Sequence, residues 1–289
     1  MSRNKVLMTT KKIIAQDAIY HITQRAPGRE LVFVEDSDYT NFLHLLESTS
    51  REYLFDILCF ALLPNHLHIL LKTNEENLNQ GMKHLFQSYA QRFNKKYQRK
   101  GHVFCGVYRA SLCQDDAYLI AASLYIHLNT YKAGIDKNPF ECRWCSLAPY
   151  IKNVKYPLIK TSYILDIIDD KDKTEARKIY KKMIEDNSKI ELKTILQNSN
   201  AVRDFFDNFI LWFKNNIGNI KLRRRKAINF YIDLEEALRK IRGKKRFGNL
   251  ESKKALIYLI EQLKAHGYSD KEIADKLQIG RSTVYRLTH

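Results

Sequence analysis

The sequence predicts an α+β fold. The predicted fold is a ferredoxin-like β-α-β-β-α-β domain with an antiparallel sheet, followed by an all-α C-terminal region that ends in a helix-turn-helix. Three observations support it. In the first 150 residues, strand-like and helix-like segments follow one another in the order of this motif. A turn signal, Pro64-Asn65, separates two apolar runs near its centre. From about residue 152 the segments become charged and helical in pattern.

The first half of the predicted domain holds three strands and one helix. Residues 18–24, AIYHITQ, are rich in β-branched and aromatic side chains, which is typical of a strand. Residues 38–53 place their apolar side chains on one side, as an amphipathic helix does. The apolar runs at 54–63 and 66–72 predict two strands, which the intervening turn joins as a hairpin.

The second half of the domain follows the hairpin. Residues 77–97 carry apolar side chains at helical spacing and predict a helix packed on the core. The segment RASLCQ, 109–114, predicts a short strand. A helix is expected over 115–134, because either of its first two aspartates can cap it and Gly134 can end it.

The last 21 residues predict a helix-turn-helix. Ser269 and Glu272 form a capping box at the start of the first helix, and Gly280 permits the turn. The alternative is an ordinary pair of antiparallel helices packed on the domain. In a helix-turn-helix the second helix enters the major groove of DNA. The side chains that would then reach bases or phosphates are Arg281, Ser282, Thr283 and Arg286.

Charge indicates the class of partner. The chain has 289 residues, with 49 Lys and Arg against 32 Asp and Glu, giving a net charge of +17. Eleven Lys or Arg and three Asp or Glu fall between residues 221 and 246, a local net charge of +8. Such a surplus favours nucleic acid, because basic side chains bound to phosphates release condensed counterions.

Other features argue against a membrane or secreted protein. No apolar run of 18 residues is present, and the N-terminus lacks the pattern of a signal peptide. Five cysteines form a sparse, odd set that fits a reduced cytoplasm. Cys142 and Cys145 form a CxxC without a second pair at metal-ligand spacing, which favours a packed or free thiol pair over a zinc site. We therefore expect a cytoplasmic protein.

Two histidines interrupt the most apolar stretch, LPNHLHILL. His66 and His68 are two residues apart on a strand, so both side chains project from one face. Two neutral imidazoles in this arrangement can bind one divalent metal ion, although histidines in an apolar strand can also be core residues. The 115–134 helix presents Tyr125 and Asn129 one turn apart on one face. An amide could complete the metal site, and a tyrosine beside it is a candidate nucleophile.

Four segments resemble successive motifs of the single-tyrosine HUH transposases, and in particular the REP-associated tyrosine transposases with an IS200-like transposase domain. They are YHITQRAPGRELVF, LPNHLHILL, FNKKYQRKGHVFCGVYRA and YLIAASLYIHLNTYKAG, in the family's order over about residues 14–151. The resemblance implies that His66 and His68 bind Mg²⁺ or Mn²⁺, that Asn129 is the third ligand, and that Tyr125 is the nucleophile. It also implies nicking of single-stranded DNA near hairpins, with a 5′-phosphotyrosine and a free 3′-hydroxyl as products. The C-terminal segment GYSDKEIADKLQIGRSTVYR is similar to the helix-turn-helix tail of longer family members.

The sequence departs from the family pattern at three places. Thr130 stands where the family has proline, and Val107 where it has arginine. The family's WSS reads Trp144-Cys145-Ser146 here. None of these changes touches the proposed nucleophile or metal ligands.

The resemblance suggests a division into three parts: a HUH transposase-like catalytic domain at 1–151, a helical linker region at 152–218, and a basic helical region with the helix-turn-helix at 219–289. Expected partners are single-stranded or hairpin DNA at the catalytic domain and duplex DNA at the C-terminal helices, and a homodimer is compatible with both. Single-stranded DNA is usually held by aromatic and basic side chains around a site. The candidates for that contact are Tyr20, Arg25, Arg29, Arg92, Lys95 and Arg109.

The sequence is also compatible with two other functions. One is a catalytically weak, domesticated DNA-binding protein that uses the same fold and the helix-turn-helix. The other is a replication initiator or relaxase of the wider HUH class, although these usually carry a helicase or other domains.

Overall fold

The structure is a computed structural model that describes residues 14–28, 30–113, 116–189, 256, 257, 260 and 270–288. The described residues up to Lys189 belong to one compact unit, and those from Leu256 onwards belong to a second. None of the helices described combines the length and apolar character that a bilayer crossing requires.

Four strands form the sheet of the first unit. They are β1 (Ile19–Arg25), β2 (Phe55–Leu63), β3 (His66–Thr73) and β4 (Arg109–Leu112). Their order is β2-β3-β1-β4, and every neighbouring pair is antiparallel. This is the order of a ferredoxin-like sheet, so the predicted fold class is confirmed. The turn between β2 and β3 lies at Pro64-Asn65, as the sequence predicted.

Two helices cover one face of the sheet. They are α1 (Asp36–Glu52) and α2 (Leu78–Lys96), which pack on each other through aromatic rings such as Phe42 and Tyr89, with ring centroids 5.2 Å apart. The hydroxyl of Tyr108 donates to the Asn79 side chain of α2 at 2.7 Å. Tyr108 also lies close to Tyr20, so α2 packs on the face of the sheet from which Tyr20 projects.

A third helix, α3 (Asp116–Lys132), packs on β2 and β3 from the opposite face. All residues from Leu119 to Thr130 are buried, since no polar face runs along this stretch. The predicted end at Gly134 fits, because this glycine has a positive φ of 71° just past the helix. The first of the two possible capping aspartates, Asp115, lies outside the described residues.

Three further helices complete this unit: α4 (Ala148–Ile151), α5 (Ser162–Ile168) and α6 (Lys173–Ser188). Both α5 and α6 contact α3, and they therefore supply the cover on its outer side. The division of the chain at residues 151 and 218 stays a prediction, but helices beyond residue 151 pack with the sheet domain.

A buried hydrogen-bond network joins α3 to α6. The His127 ring bonds to the Tyr180 hydroxyl through Nδ1 at 2.8 Å and to Ser146 Oγ through Nε2 at 3.0 Å. The Tyr180 hydroxyl donates to Ser123 Oγ at 3.0 Å, and Ser146 Oγ accepts the backbone N–H of Phe60 on β2 at 2.8 Å. All of these side chains are fully buried, so the network fixes α3 against both the sheet and α6.

The two cysteines of the CxxC, Cys142 and Cys145, lie against each other, with Cα atoms 5.6 Å apart. Between them lies Trp144, whose ring stacks on Tyr39 of α1 with centroids 4.6 Å apart. The departure from WSS therefore keeps an aromatic contact at its first position and a buried hydroxyl, Ser146, at its last.

The second unit contains two short helices, α7 (Asp270–Leu277) and α8 (Arg281–Thr288). Ile273, Leu277 and Val284 form a small apolar core with Leu256 and Ile260. The helices and the turn between them lie where the sequence placed them. The predicted cap Ser269 and the basic segment 221–246 lie outside the described residues.

Candidate active site

The two histidines of β3 project from the face of the sheet that α3 covers. His66 and His68 are buried, and their ring centroids lie 5.2 Å apart. They stand opposite Leu63 and Ala61 of β2 and opposite Arg25 and Thr23 of β1. The expectation that both imidazoles share one face follows from strand alternation, and the structure bears out that geometry.

The loop after β1 holds the hairpin turn beside these histidines. The backbone N–H of Ala26 donates to Asn65 O at 2.9 Å. The N–H groups of Val32 and Phe33 donate to Pro64 O at 2.8 and 3.0 Å. These bonds satisfy the turn carbonyls and keep the start of β3, with His66, in a fixed position.

The Asn65 side chain determines which nitrogen of His66 is free. Its Oδ1 lies 2.7 Å from His66 Nδ1 and, as a carbonyl oxygen, can only accept. His66 Nδ1 therefore carries the proton, and Nε2 keeps its lone pair. His66 Nε2 is buried and has no hydrogen-bond partner among the residues that the structure describes.

His68 is bonded through the same ring position to a third histidine, which sequence reasoning missed. His68 Nδ1 lies 2.9 Å from Nε2 of His21 on β1, and 3.3 Å from Thr23 Oγ1. Within the described part of the chain, His68 Nε2 also meets no partner. Strand alternation could have identified His21 from the sequence. His21 and Arg25, a predicted DNA contact, are four residues apart on β1, so their side chains lie on the same face.

Helix α3 brings Tyr125 and Asn129 to the histidines. The Tyr125 ring lies 5.5 Å from that of His68 and 6.0 Å from that of His21, both edge to face. Asn129 lies beside His66 and Tyr125, close enough to alter the pKa of each. Within strict hydrogen-bond geometry neither amide atom of Asn129 has a partner among the described residues, but its side chain lies within looser hydrogen-bonding reach of His66 and Tyr125.

Burial controls the protonation of the site. It lowers the pKa of His66 to about 4, an effect that the Asn129 amide opposes and Arg25 increases. It also lowers the pKa of His21 to about 4, and that of His68 well below its usual value. The imidazoles are therefore neutral at pH 7. Burial raises the pKa of Tyr125 to about 12, although Asn129 lowers it in part, so the phenol is protonated.

The arrangement fits a divalent cation. Two imidazole nitrogens and one amide oxygen are buried in one region without hydrogen-bond partners among the described residues. A buried polar atom without a partner is costly, which a bound cation would relieve. An amide oxygen suits Mn²⁺ or Mg²⁺, and imidazole nitrogens bind divalent transition metals. Among the described residues, no three His, Cys, Asp or Glu side chains form a group that could hold a metal ion.

The predicted DNA contacts divide between the two faces of the sheet. Arg25 and Arg109 are exposed and project from the histidine face, since Arg25 stands opposite His66 and Arg109 opposite Thr23. The structure places Tyr20 in the core instead. It is 1% exposed and its hydroxyl accepts the N–H of Ala15 at 2.9 Å, so no face of the ring is open to a base.

Two further predicted contacts do not reach the histidines. Arg92 and Lys95 are exposed on α2, which packs on the opposite face of the sheet. Arg92 bonds to Asn41 of α1 at 2.7 Å. Arg29 lies outside the described residues.

In the second unit, α8 presents its predicted contacts to solvent. Arg281, Ser282 and Arg286 are exposed, and Thr283 is half-buried. Val284 is fully buried in the small core, so α8 has one anchored side and one polar side.

Comparison with known proteins gives three findings. Residues 15–129 match a family model described as IS200-like transposase. The solved structure of the REP-associated tyrosine transposase bound to a REP hairpin is 14% identical, with a TM-score of 0.44, over 52% of this chain and 88% of that chain. No curated protein matches the chain. The matched segment contains His66, His68, Tyr125 and Asn129, and residues 15–129 are thus similar to the IS200-like transposase family.

Proposed function

We propose that this protein nicks and rejoins single-stranded DNA at hairpin-forming repeats, through a covalent link to Tyr125. The observation that carries the proposal is the convergence of Tyr125 with three buried ligand atoms, on His66, His68 and Asn129, that have no partner among the described residues. A tyrosine beside a neutral metal-binding set is suited to attack on a phosphodiester.

The reaction exchanges one phosphate ester for another. The Tyr125 oxygen forms a bond to the scissile phosphorus, the bond from phosphorus to the 3′ oxygen breaks, and the phenol's proton is lost as the 3′ oxygen gains one. The product is a 5′-phosphotyrosine with a free 3′-hydroxyl, and the reverse reaction rejoins a strand. A Mg²⁺ or Mn²⁺ ion on His66, His68 and Asn129 would supply Lewis-acid polarisation of the phosphate.

Arg25 and Arg109 would hold the DNA backbone beside this site. Both guanidinium groups are exposed on the histidine face, and guanidinium binds phosphate in a bidentate manner. Arg25 lies near enough to His66 to lower its pKa, which places a positive charge close to the proposed scissile phosphate.

Removal of a ligand should abolish metal binding and cleavage together. In His66→Ala and His68→Ala, we expect Mn²⁺ affinity to fall by at least about 100-fold and cleavage to be lost, with DNA affinity less affected. Asn129→Ala should weaken Mn²⁺ by about tenfold, because an amide oxygen is a weaker ligand than a carboxylate. Calorimetric titration with Mn²⁺ and cleavage of a labelled hairpin oligonucleotide measure the two effects.

His84→Ala is the matched control, since this half-exposed histidine lies on α2, the helix on the other face of the sheet. Cleavage that persists in EDTA would remove the metal from the mechanism. The histidines would then be core residues of the sheet.

The C-terminal helices would bind duplex DNA. The exposed side of α8 carries Arg281 and Arg286, and a helix of this kind fits the major groove. In the full chain, the double substitution Arg281→Ala, Arg286→Ala should weaken duplex binding. The slope of log K against log salt should become shallower by about 1.8, or about 0.9 for each phosphate that the variant no longer neutralises.

The control removes the same charge elsewhere, by Lys178→Ala and Lys182→Ala on the exposed side of α6. Titrations of a hairpin duplex over a range of salt compare the variants. Equal affinities and slopes for wild type and the α8 variant would assign α8 a packing or oligomerisation role.

A second candidate is a catalytically weak DNA-binding protein on the same fold. The burial of Tyr125, only 2% exposed, favours it, because an attacking hydroxyl must be reached by its phosphate. The deciding experiment incubates the protein with labelled single-stranded hairpin DNA and Mn²⁺. A covalent adduct on a denaturing gel supports the transposase reaction, and binding without an adduct supports the alternative.

A further inference from the structure

His21 stands outside the predicted ligand set, yet it makes a close polar contact with one of its members. It lies on β1, is 3% exposed, and its Nε2 is 2.9 Å from His68 Nδ1. The second neighbour of that nitrogen, Thr23 Oγ1, is more distant at 3.3 Å. His21 is thus the principal partner of the His68 ring.

The bond between two neutral imidazoles allows two proton arrangements. If His21 Nε2 carries the proton and donates, His68 holds its own proton on Nε2 and has no lone pair for a cation. If His21 Nε2 accepts, His68 is protonated on Nδ1 and its Nε2 lone pair is available. The availability of His68 as a ligand therefore depends on the tautomer of His21.

The other histidine of the proposed ligand set, His66, also has a partner on Nδ1, and here only one proton arrangement is possible. Asn65 Oδ1 can only accept from His66 Nδ1, which leaves the Nε2 lone pair of His66 free. Nε2 of both rings is buried without a partner among the described residues, so the two rings face their surroundings in the same way. This likeness between the two rings indicates that His21 Nε2 accepts the proton of His68 Nδ1.

We infer that His21 is a positioning residue: it accepts the Nδ1 proton of His68 and so holds this imidazole in the tautomer and orientation that bind a divalent cation. The part of this inference that concerns metal binding rests on the proposed function. His21 does for His68 what Asn65 does for His66. Partners of this kind tune metal sites, and their loss typically costs about 10–100-fold in affinity.

The first test needs no metal. Long-range ¹H–¹⁵N spectra of the histidine-labelled, metal-free full chain show which nitrogen of His68 carries the proton. We expect Nδ1–H in wild type and in His21→Gln, whose amide oxygen can still accept. In His21→Leu we expect a mixture with the Nε2–H form. An Nε2–H tautomer of His68 in wild type would overturn the inference, even if no variant folds.

The second test measures Mn²⁺ binding by calorimetry on the same proteins. His21→Leu should bind about 10–100-fold more weakly than wild type. His21→Gln should stay within about threefold, as should Thr23→Val, which removes only the longer contact. Equal weakening in the Leu and Gln variants would show that the imidazole acts by packing alone, and unchanged affinity in a folded Leu variant would also refute the role.

Failure of the proposed function gives a different pattern. If His68→Ala binds Mn²⁺ as tightly as wild type, the metal site and the metal half of this inference both fall. The tautomer in the metal-free protein still decides whether His21 accepts from His68.

Discussion

Tyr125→Phe should eliminate the covalent adduct with single-stranded DNA. The substitution removes only the hydroxyl that would attack phosphorus, and we expect cleavage to fall by on the order of 10⁴-fold or more. The ring keeps its edge-to-face contacts with His68 and His21, so folding should change by about 1 kcal/mol or less. Mn²⁺ affinity should also persist, because the phenol is not in the proposed ligand set.

Two tyrosines of the same helix provide matched controls. Tyr118 lies two turns before Tyr125 and Tyr131 lies six residues after it, and both are half-buried. Tyr118→Phe and Tyr131→Phe should form the adduct at the wild-type rate on a denaturing gel. An adduct that survives in Tyr125→Phe would exclude Tyr125 as the nucleophile and make Tyr118, on the same helix face, the next candidate.

Acid should destabilise the protein at pH values well above those at which carboxylates usually titrate. Four buried histidines are neutral in the folded state: burial lowers the pKa of His21 and His66 to about 4 and that of His127 to about 3, and lowers that of His68 strongly. In the unfolded chain each binds a proton below its ordinary pKa of about 6.5. The unfolded state therefore binds more protons between about pH 6.5 and about pH 4, and the free energy of unfolding falls as pH falls through this window.

The expected size is large. Each such histidine costs about 1.4 kcal/mol per pH unit below about pH 6.5, so four of them remove about 8 kcal/mol by about pH 5. This approaches the whole stability of an ordinary domain, about 5–15 kcal/mol. Urea unfolding of the metal-free protein at a series of pH values from about 7.5 down to about 5 measures the dependence.

The variant His127→Gln tests how much one of these four histidines contributes to the pH dependence of stability. The variant should be less stable at neutral pH, because His127 bonds both Tyr180 and Ser146. Its slope of stability against pH should be smaller than wild type by about one proton, or about 1.4 kcal/mol per pH unit. The same slope in both proteins would mean that His127 does not contribute to acid unfolding.

The elements of the sheet domain were predictable because their signals are local. Strand composition, the Pro64-Asn65 turn and the helical spacing of α2 each depend on a few neighbouring residues. The shared face of His66 and His68, and of Tyr125 and Asn129, also follows from the period of one element. These four residues could therefore be proposed together from the sequence.

The remaining features depend on contacts between distant segments. A single histidine in a strand is usually a core residue, so the role of His21 becomes visible only when the register pairs β1 with β3. Arg92 and Lys95 lie on α2, and the spacing of its apolar residues does not reveal which face of the sheet this helix covers. Tyr20 and Arg25 are on the same strand, but alternation sends them to opposite faces, and only one of these faces the histidines.

The contact between α3 and α6 bears on how the sheet domain could be moved into another protein. The family-matched segment ends at residue 129, yet Ser123 and His127 within it bond to Tyr180, which lies 53 residues beyond His127. A chimaera with its junction at residue 129 would lack α6. The side chains of Ser123 and His127, which are buried in this protein, would then be exposed to water. A junction after Ser188 would keep α3 together with α6, whose Tyr180 bonds to Ser123 and His127.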